Sequence, residues 1–155
     1  MQDQSAPLQD RLDLDAAIRS CYGCGADNLN GLRIKSHLEG DEGICVWQPQ
    51  PHHCSYAGWL NGGIMCTLID CHALTTVLGL ECRDRGLDVG GPDVPAGWTR
   101  ALHVEFLEPV PLNGPVVLRA RVVKKGRTSR TIECSIYYEG KECVKAEVIA
   151  VMKGL

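Results

Sequence analysis

The chain has 155 residues, 45% of them hydrophobic and 23% charged, with a formal net charge of −3. That length fits one domain with a substantial core, and that composition is ordinary for a globular protein and unlike a disordered one. The acidic balance argues against a nucleic-acid partner, no apolar run reads as the roughly 20 residues that cross a bilayer, and the polar start MQDQSAPLQDRLDLD resembles neither a secretory nor a mitochondrial leader.

Residues 1–20 read as an N-terminal extension in which LDLDAAIRSC, Leu12 to Cys21, predicts a short helix ending at the turn signal GCGADN. Residues 21–155 read as one domain without an internal repeat or linker. GLRIKSHL predicts a strand, because Leu32, Ile34 and Leu38 alternate with a break only at Ser36. GICVWQ predicts a second strand across the turn EGDEG, and PQPHHCSYAGW an irregular loop.

Asn61 to Leu80 is the only long helix candidate, with a favourable N-cap in Asn61 and no internal proline. Its apolar residues spread over much of the circumference, which implies burial against more than one surface. Glu81 to Trp98, rich in glycine, proline and charge, predicts a long surface loop. Four strands follow, marked by alternation at Leu102–Phe106, Leu118–Val122, Ile132–Tyr138 and Ala146–Met152. The turns between them are short, which favours antiparallel neighbours. The expected architecture is α+β: one antiparallel sheet wrapped around one long central helix.

Within LNGGIMCTLIDC, Leu60 to Cys71, Asp70 stands alone among apolar neighbours. A buried carboxylate needs a partner or a shifted pKa, and the simplest role is structural, bonding a nearby backbone or hydroxyl group. The helix start suggests more. Gly62 and Gly63 leave amide N–H groups sterically uncovered at the positive end of the helix dipole, where they can polarise a carbonyl. Close packing or a tight entry turn would account for the glycines equally well.

Together these residues spell Asn61-Gly62-Gly63-x4-Leu68-x-Asp70, which resembles the His-Gly-Gly-x4-Leu-x-Asp signature of the PaaI-like hotdog-fold thioesterases. CYGCGADNLNGL, Cys21 to Leu32, is similar to the Cys-x-x-Cys-Gly-x-x-Asn-x-x-Gly-Leu opening of a subset of them. LHVEFLEP, Leu102 to Pro109, resembles their strand ending in Phe-Leu-x-Pro, and Gly126-Arg127 with the alternating strand after it also matches. The resemblance implies hydrolysis of an acyl- or aryl-coenzyme A thioester, without a cofactor. Asp70 would be the nucleophile or general base, and the Gly62 N–H would hold the thioester oxygen. Thr99 matches a Ser/Thr position beside the carboxylate, and Ser55 and Gly63 fall among positions that face substrate.

Two residues depart from the pattern. Asn61 replaces the histidine, and Ser55 replaces a common asparagine. Asn61 can cap the helix and donate a hydrogen bond, but it cannot move a proton at neutral pH. Asp70 keeps the thioesterase reading ahead of two others, a noncatalytic hotdog ligand-binding protein and a hydratase or dehydratase. The last of these needs a histidine base.

The nine cysteines are an odd number without a secretory leader, so reduced thiols and a cytoplasmic location are expected. Cys21-x-x-Cys24 has zinc-ligand spacing, with His52, His53 and Cys54 as further candidates. A second close Cys-x-x-Cys is absent, and no metal is expected. Cys66 and Cys71 read as small core residues, and His103 as a solvated side chain. Lys124, Lys125, Arg127 and Arg130 gather at one hairpin, either as a solvated turn or, as the resemblance implies, near the phosphates of coenzyme A. Gly62 and Asp70 lie about 12 Å apart along one helix, too far to serve one thioester. A homodimer, or a tetramer made of two, is therefore expected, each site combining Gly62 of one chain with Asp70 of the other.

Overall fold

A computed structural model of the chain describes residues 5–13 and 16–154. The alternating segments form one six-stranded antiparallel sheet in the order β1-β2-β4-β5-β6-β3. The strands are β1 (His37–Glu39), β2 (Glu42–Trp47), β3 (Ala96–Phe106), β4 (Val116–Lys125), β5 (Ser129–Tyr138) and β6 (Lys141–Lys153). Side chains two residues apart share a face, so Val116, Leu118, Ala120, Ile132, Cys134, Ile136, Val144 and Val148 are all buried on one side. The other face carries exposed ion pairs such as Arg119–Glu42 at 2.8 Å and Arg121–Glu133 at 2.9 Å. Exposed pairs of this kind add little stability.

The long helix α2 (Gly62–Asp84) lies against the apolar face. Its length and composition would suffice to cross a bilayer, which the sequence reading had not recognised. Most of it is instead buried inside the protein: Met65, Leu68, Ile69, Ala73 and Val77 join the core cluster of the sheet. Contact is closest where Gly43 of β2 passes Thr76. A Cβ on Gly43 would lie 1.8 Å from the Thr76 hydroxyl oxygen, so only glycine permits this packing.

The helix runs past Leu80 to Asp84, and the loop expected from Glu81 is shorter than its composition suggested. The cause is long-range. Glu81 is buried and accepts a hydrogen bond from Arg130 Nε at 2.6 Å, so a residue that looks like loop surface is drawn into the core. β3 also begins before Trp98, at Ala96.

The other departures lie near the N-terminus. The helix expected from Leu12 to Cys21 is reduced to a 3-10 turn at Ala17–Ser20, with Leu14 and Asp15 outside the described residues. A short helix α1 (Leu8–Arg11) precedes it, with Leu8 packed over Gly79 of α2. The segment 31–36 shows the expected burial alternation at Leu32, Ile34 and Ser36 but forms no ladder strand. Arg33 has φ 55°, a left-handed conformation that interrupts an extended chain. Leu32 and Ile34 donate their N–H groups to Tyr22 and Gly23 carbonyls instead.

Candidate active site

The start of α2 has two occupied and two open amide groups. Asn61 accepts a hydrogen bond from Ile64 N–H through its side-chain oxygen at 3.1 Å, and its carbonyl accepts from Met65 N–H at 3.1 Å. Among the described residues the Gly62 and Gly63 N–H groups have no hydrogen-bond acceptor. A helix start offers such donors as a matter of geometry, and the absence of side chains keeps them accessible. A Cβ on Gly62 would sit 3.5 Å from the Phe106 ring, an ordinary contact, so packing does not demand glycine there. Asn61 acts as the cap.

Two turns further on, the Thr99 hydroxyl donates a hydrogen bond to Asp70 Oδ1, joining β3 to α2. Asp70 is half-buried, and among the described residues its Oδ2 has no hydrogen-bond partner. One carboxylate oxygen is thus held in place and the other stays open. Helix and strand run in opposite directions here: Gly62 lies by Phe106, and Asp70 by Thr99. β3 is also the outer strand of the sheet, and its far edge carries no neighbour among the described residues.

An apolar cavity of about 350 Å³ lies between α2, the loop before β3 and the N-terminal segment, lined by Ile18, Leu74, Leu78, Val94, Gly97 and Met152; Asp70 and Thr99 do not line it. Leu74 is one helical turn from Asp70, and Gly97 is on the same face of β3 as Thr99. Nothing in the sequence marked this cavity, because its wall joins α2 to the loop before β3 and to the N-terminal segment.

The basic hairpin divides. Arg130 is turned inward, bonded to Glu81 and to the carbonyls of Gly126 and Ser129 at 2.8 Å each. Burial and this pairing withdraw it from any ligand. Lys125 pairs with Asp84 at 3.2 Å. Lys124 and Arg127 are exposed and form no ion pair among the described residues. Arg100, which the sequence reading passed over, is exposed at a β-bulge next to Thr99. Ser55 lies in the exposed loop before α2, its N–H donating to the Trp59 carbonyl at 2.9 Å.

No histidine joins the site. His53 is buried against the Trp47 ring, and its Nδ1 accepts from the Gln50 N–H. His72 is enclosed between Ser36 and the Gly43 carbonyl, and burial pushes its pKa down to about 4. Cys45 and Cys134 are core thiols, the first pushed up to about 11 by burial and the second higher still. The metal candidates also regroup: Cys71, not His52, His53 or Cys54, meets Cys21 and Cys24.

One long helix held in an antiparallel sheet is the architecture of the hotdog fold. Solved structures carry the same fold. One is a thioesterase-superfamily protein from Shewanella loihica (TM-score 0.61, 24% identity, 76% of this chain and 89% of that one). Another is a thioesterase from Haemophilus influenzae (TM-score 0.68, 17% identity, 84% and 85%). A third is a phenylacetic acid degradation-related protein from Ralstonia eutropha (TM-score 0.62, 18% identity, 77% and 85%). Residues 49–152 match the family described as acyl-CoA thioesterase N-terminal domain, and the chain belongs to that family. It is also 27% identical over 85 residues to acyl-coenzyme A thioesterase 13 of Homo sapiens and of Pongo abelii. That alignment takes in 55% of this chain and 53% of each relative, so the chain spans about half the length of the curated relatives it matches.

Proposed function

We propose that the protein hydrolyses an acyl- or aryl-CoA thioester at a site shared by two subunits. The observation that carries this reading is the pairing of two open amide donors at Gly62 and Gly63 with an open carboxylate oxygen at Asp70 on the same helix. The donors polarise the thioester carbonyl and take up negative charge as it develops on oxygen. Asp70 Oδ2 either removes a proton from the attacking water or attacks the acyl carbon itself, forming an anhydride that water then opens. In both routes a C–O bond forms and the C–S bond breaks. The proton from water reaches the departing sulfur, leaving a carboxylic acid and coenzyme A. Thr99 holds Oδ1, so that Oδ2 is the oxygen presented.

The two groups meet only across a dimer, because about 12 Å of helix separates them within one chain. Pairing of β3 with β3 of a second copy suits this need. An antiparallel arrangement centred between Leu102 and His103 brings the Thr99 end of one strand to the Phe106 end of the other. Asp70 of one chain then approaches Gly62 of the partner subunit. The apolar cavity at Leu74, one helical turn beyond Asp70, takes the acyl group in this reading, and its modest volume favours a short or medium acyl chain or an aromatic ring over a long chain. Lys124, Arg127 and Arg100, exposed and outside any ion pair among the described residues, meet the coenzyme A phosphates in this reading. A cytoplasmic setting accords with nine unpaired thiols.

The hydratase reading recedes because both nitrogens of His72 are engaged and the His53 ring is stacked on Trp47 with its Nδ1 accepting from the Gln50 N–H. The experiment is a measurement of thiol release over a panel of acyl- and aryl-CoA substrates, repeated with Asp70→Asn. Near-complete loss in a folded variant is expected. Near wild-type release by Asp70→Asn would make Asp70 structural, and no release by the wild type from any substrate would favour the ligand-binding reading.

A further inference from the structure

Cys21, Cys24 and Cys71 form a cluster that the thioesterase chemistry does not use. Cys21 follows the 3-10 turn, Cys24 lies one turn of chain later, and Cys71 faces both from α2. The three sulfur atoms lie within 4.8 Å of one another, with Cys21 Sγ and Cys71 Sγ 3.8 Å apart. At a Zn–S bond length of about 2.3 Å, the edge of a tetrahedral zinc–thiolate site is about 3.8 Å. The Cys21–Cys71 edge already has that length, and Cys24 Sγ lies within 4.8 Å of both.

The backbone around it is shaped to the same end. Gly25 N–H donates to the Cys21 carbonyl at 2.9 Å, closing the Cys-x-x-Cys-Gly turn. A Cβ on Gly25 would lie 2.4–2.5 Å from the Arg19 carbonyl and from Cys21 backbone atoms, and one on Gly23 would lie 2.3 Å from Cys71 Sγ. Only glycine at both positions lets this turn settle onto the Cys71 thiol. Leu32 and Ile34 N–H then fasten the turn through Tyr22 and Gly23 carbonyls. Cys24 and Cys71 are buried while Cys21 is half-exposed, so the cluster is walled on one side and open to solvent on the other.

We propose that Cys21, Cys24 and Cys71 bind one Zn²⁺ ion, with water as the fourth ligand. Each thiol gives its proton to solvent on binding, and three thiolates meet a soft, tetrahedral cation. This reverses the expectation from sequence, where a second close Cys-x-x-Cys is absent and the further ligand candidates were His52, His53 and Cys54. The ion ties the 16–36 segment to α2 next to Asp70.

The test uses the full-length protein, reduced and freed of metal with chelator, and titrated with Co²⁺. The expected result is saturation at one equivalent per chain, with the sulfur-to-cobalt charge-transfer band and strong visible bands of a tetrahedral thiolate site, both erased by Zn²⁺. Cys24→Ser and Cys71→Ser should each lose these bands, whereas Cys66→Ser, on the same helix, should keep them. Because a cysteine variant can fail to fold, alkylation of the wild type with and without Zn²⁺ gives a second reading. Peptide mapping should find Cys21, the half-exposed member of the cluster, protected only when zinc is present. A folded wild type without thiolate bands, bands that persist in Cys71→Ser, or a disulfide among the three in freshly isolated protein would overturn the proposal.

Discussion

The Thr99 hydroxyl donates to Asp70 Oδ1, tying the outermost strand of the sheet to the middle of the core helix. A hydrogen bond to a charged group contributes about 1.5–3 kcal/mol, or roughly 10- to 100-fold in rate if it is needed to aim the carboxylate. Thr99→Ala should therefore lower kcat for thiol release by about that factor while KM changes little. Thr99→Ser keeps the donor and should restore most of the loss. An alanine variant as active as wild type would confine Thr99 to a structural role.

The two arginines of the β4–β5 hairpin should separate binding from stability. Arg127 is exposed and forms no ion pair among the described residues. Arg127→Ala should raise KM for acyl-CoA more than KM for the matching acyl-pantetheine, which lacks the distal phosphates. Arg130 and Glu81 are both buried and bonded at 2.6 Å. Removing one partner strands the other charge, so Arg130→Ala should cost about 3–5 kcal/mol in denaturant unfolding. Similar KM and stability changes in both variants would contradict this division.

His72 gives the fold a pH dependence. Burial lowers its pKa to about 4 in the folded chain, against about 6.5 when unfolded. Above pH 6.5 both states carry neutral imidazole, and the group adds no slope. Between about 6.5 and 4 the unfolded chain binds a proton that the folded chain refuses, so stability falls as pH falls through that window. The full loss is about 3 kcal/mol. Urea unfolding from pH 7.5 to 4.5 should show this decline, and His72→Gln should flatten its part of it. Identical pH slopes for the two proteins would remove His72 as the source.

Much of this architecture can be read locally. Alternation marks β4, β5 and β6, and Asn61 marks the start of α2, because these signals depend on neighbours within a few residues. The glycine pair and Asp70 are legible as a motif for the same reason. What the sequence conceals is made by distant partners. Glu81 looks like loop surface until Arg130 covers it. Leu32 and Ile34 alternate as a strand would, yet the left-handed Arg33 sends their N–H groups to a turn rather than to the sheet. Cys71 reads as a core residue until the Cys21–Cys24 turn closes over it. The cavity at Leu74 likewise exists only once the N-terminal segment and the loop before β3 have folded back onto α2.

The shared site makes the most demanding prediction. Gly62→Pro removes the N–H while proline remains acceptable at the first position of a helix. The preceding Asn61 has ψ 132°, the extended conformation that a following proline prefers, so the helix start should survive. Asp70→Asn removes the carboxylate and keeps its shape. Each variant alone assembles dimers in which both sites lack one group, and each should be nearly inactive. When the two variants exchange subunits, a mixed dimer contains one site with both defects and one with neither. Random exchange of equal amounts makes half the dimers mixed, and half the sites in those are intact, so about a quarter of wild-type activity should return. Recovery should follow the kinetics of subunit exchange, measured independently by mass or by fluorescence transfer between labelled chains. If Gly62 and Asp70 of the same chain served one thioester, every site in a mixed dimer would still carry one defect and mixing would restore nothing. Verified mixed dimers without activity would therefore sink the shared-site mechanism.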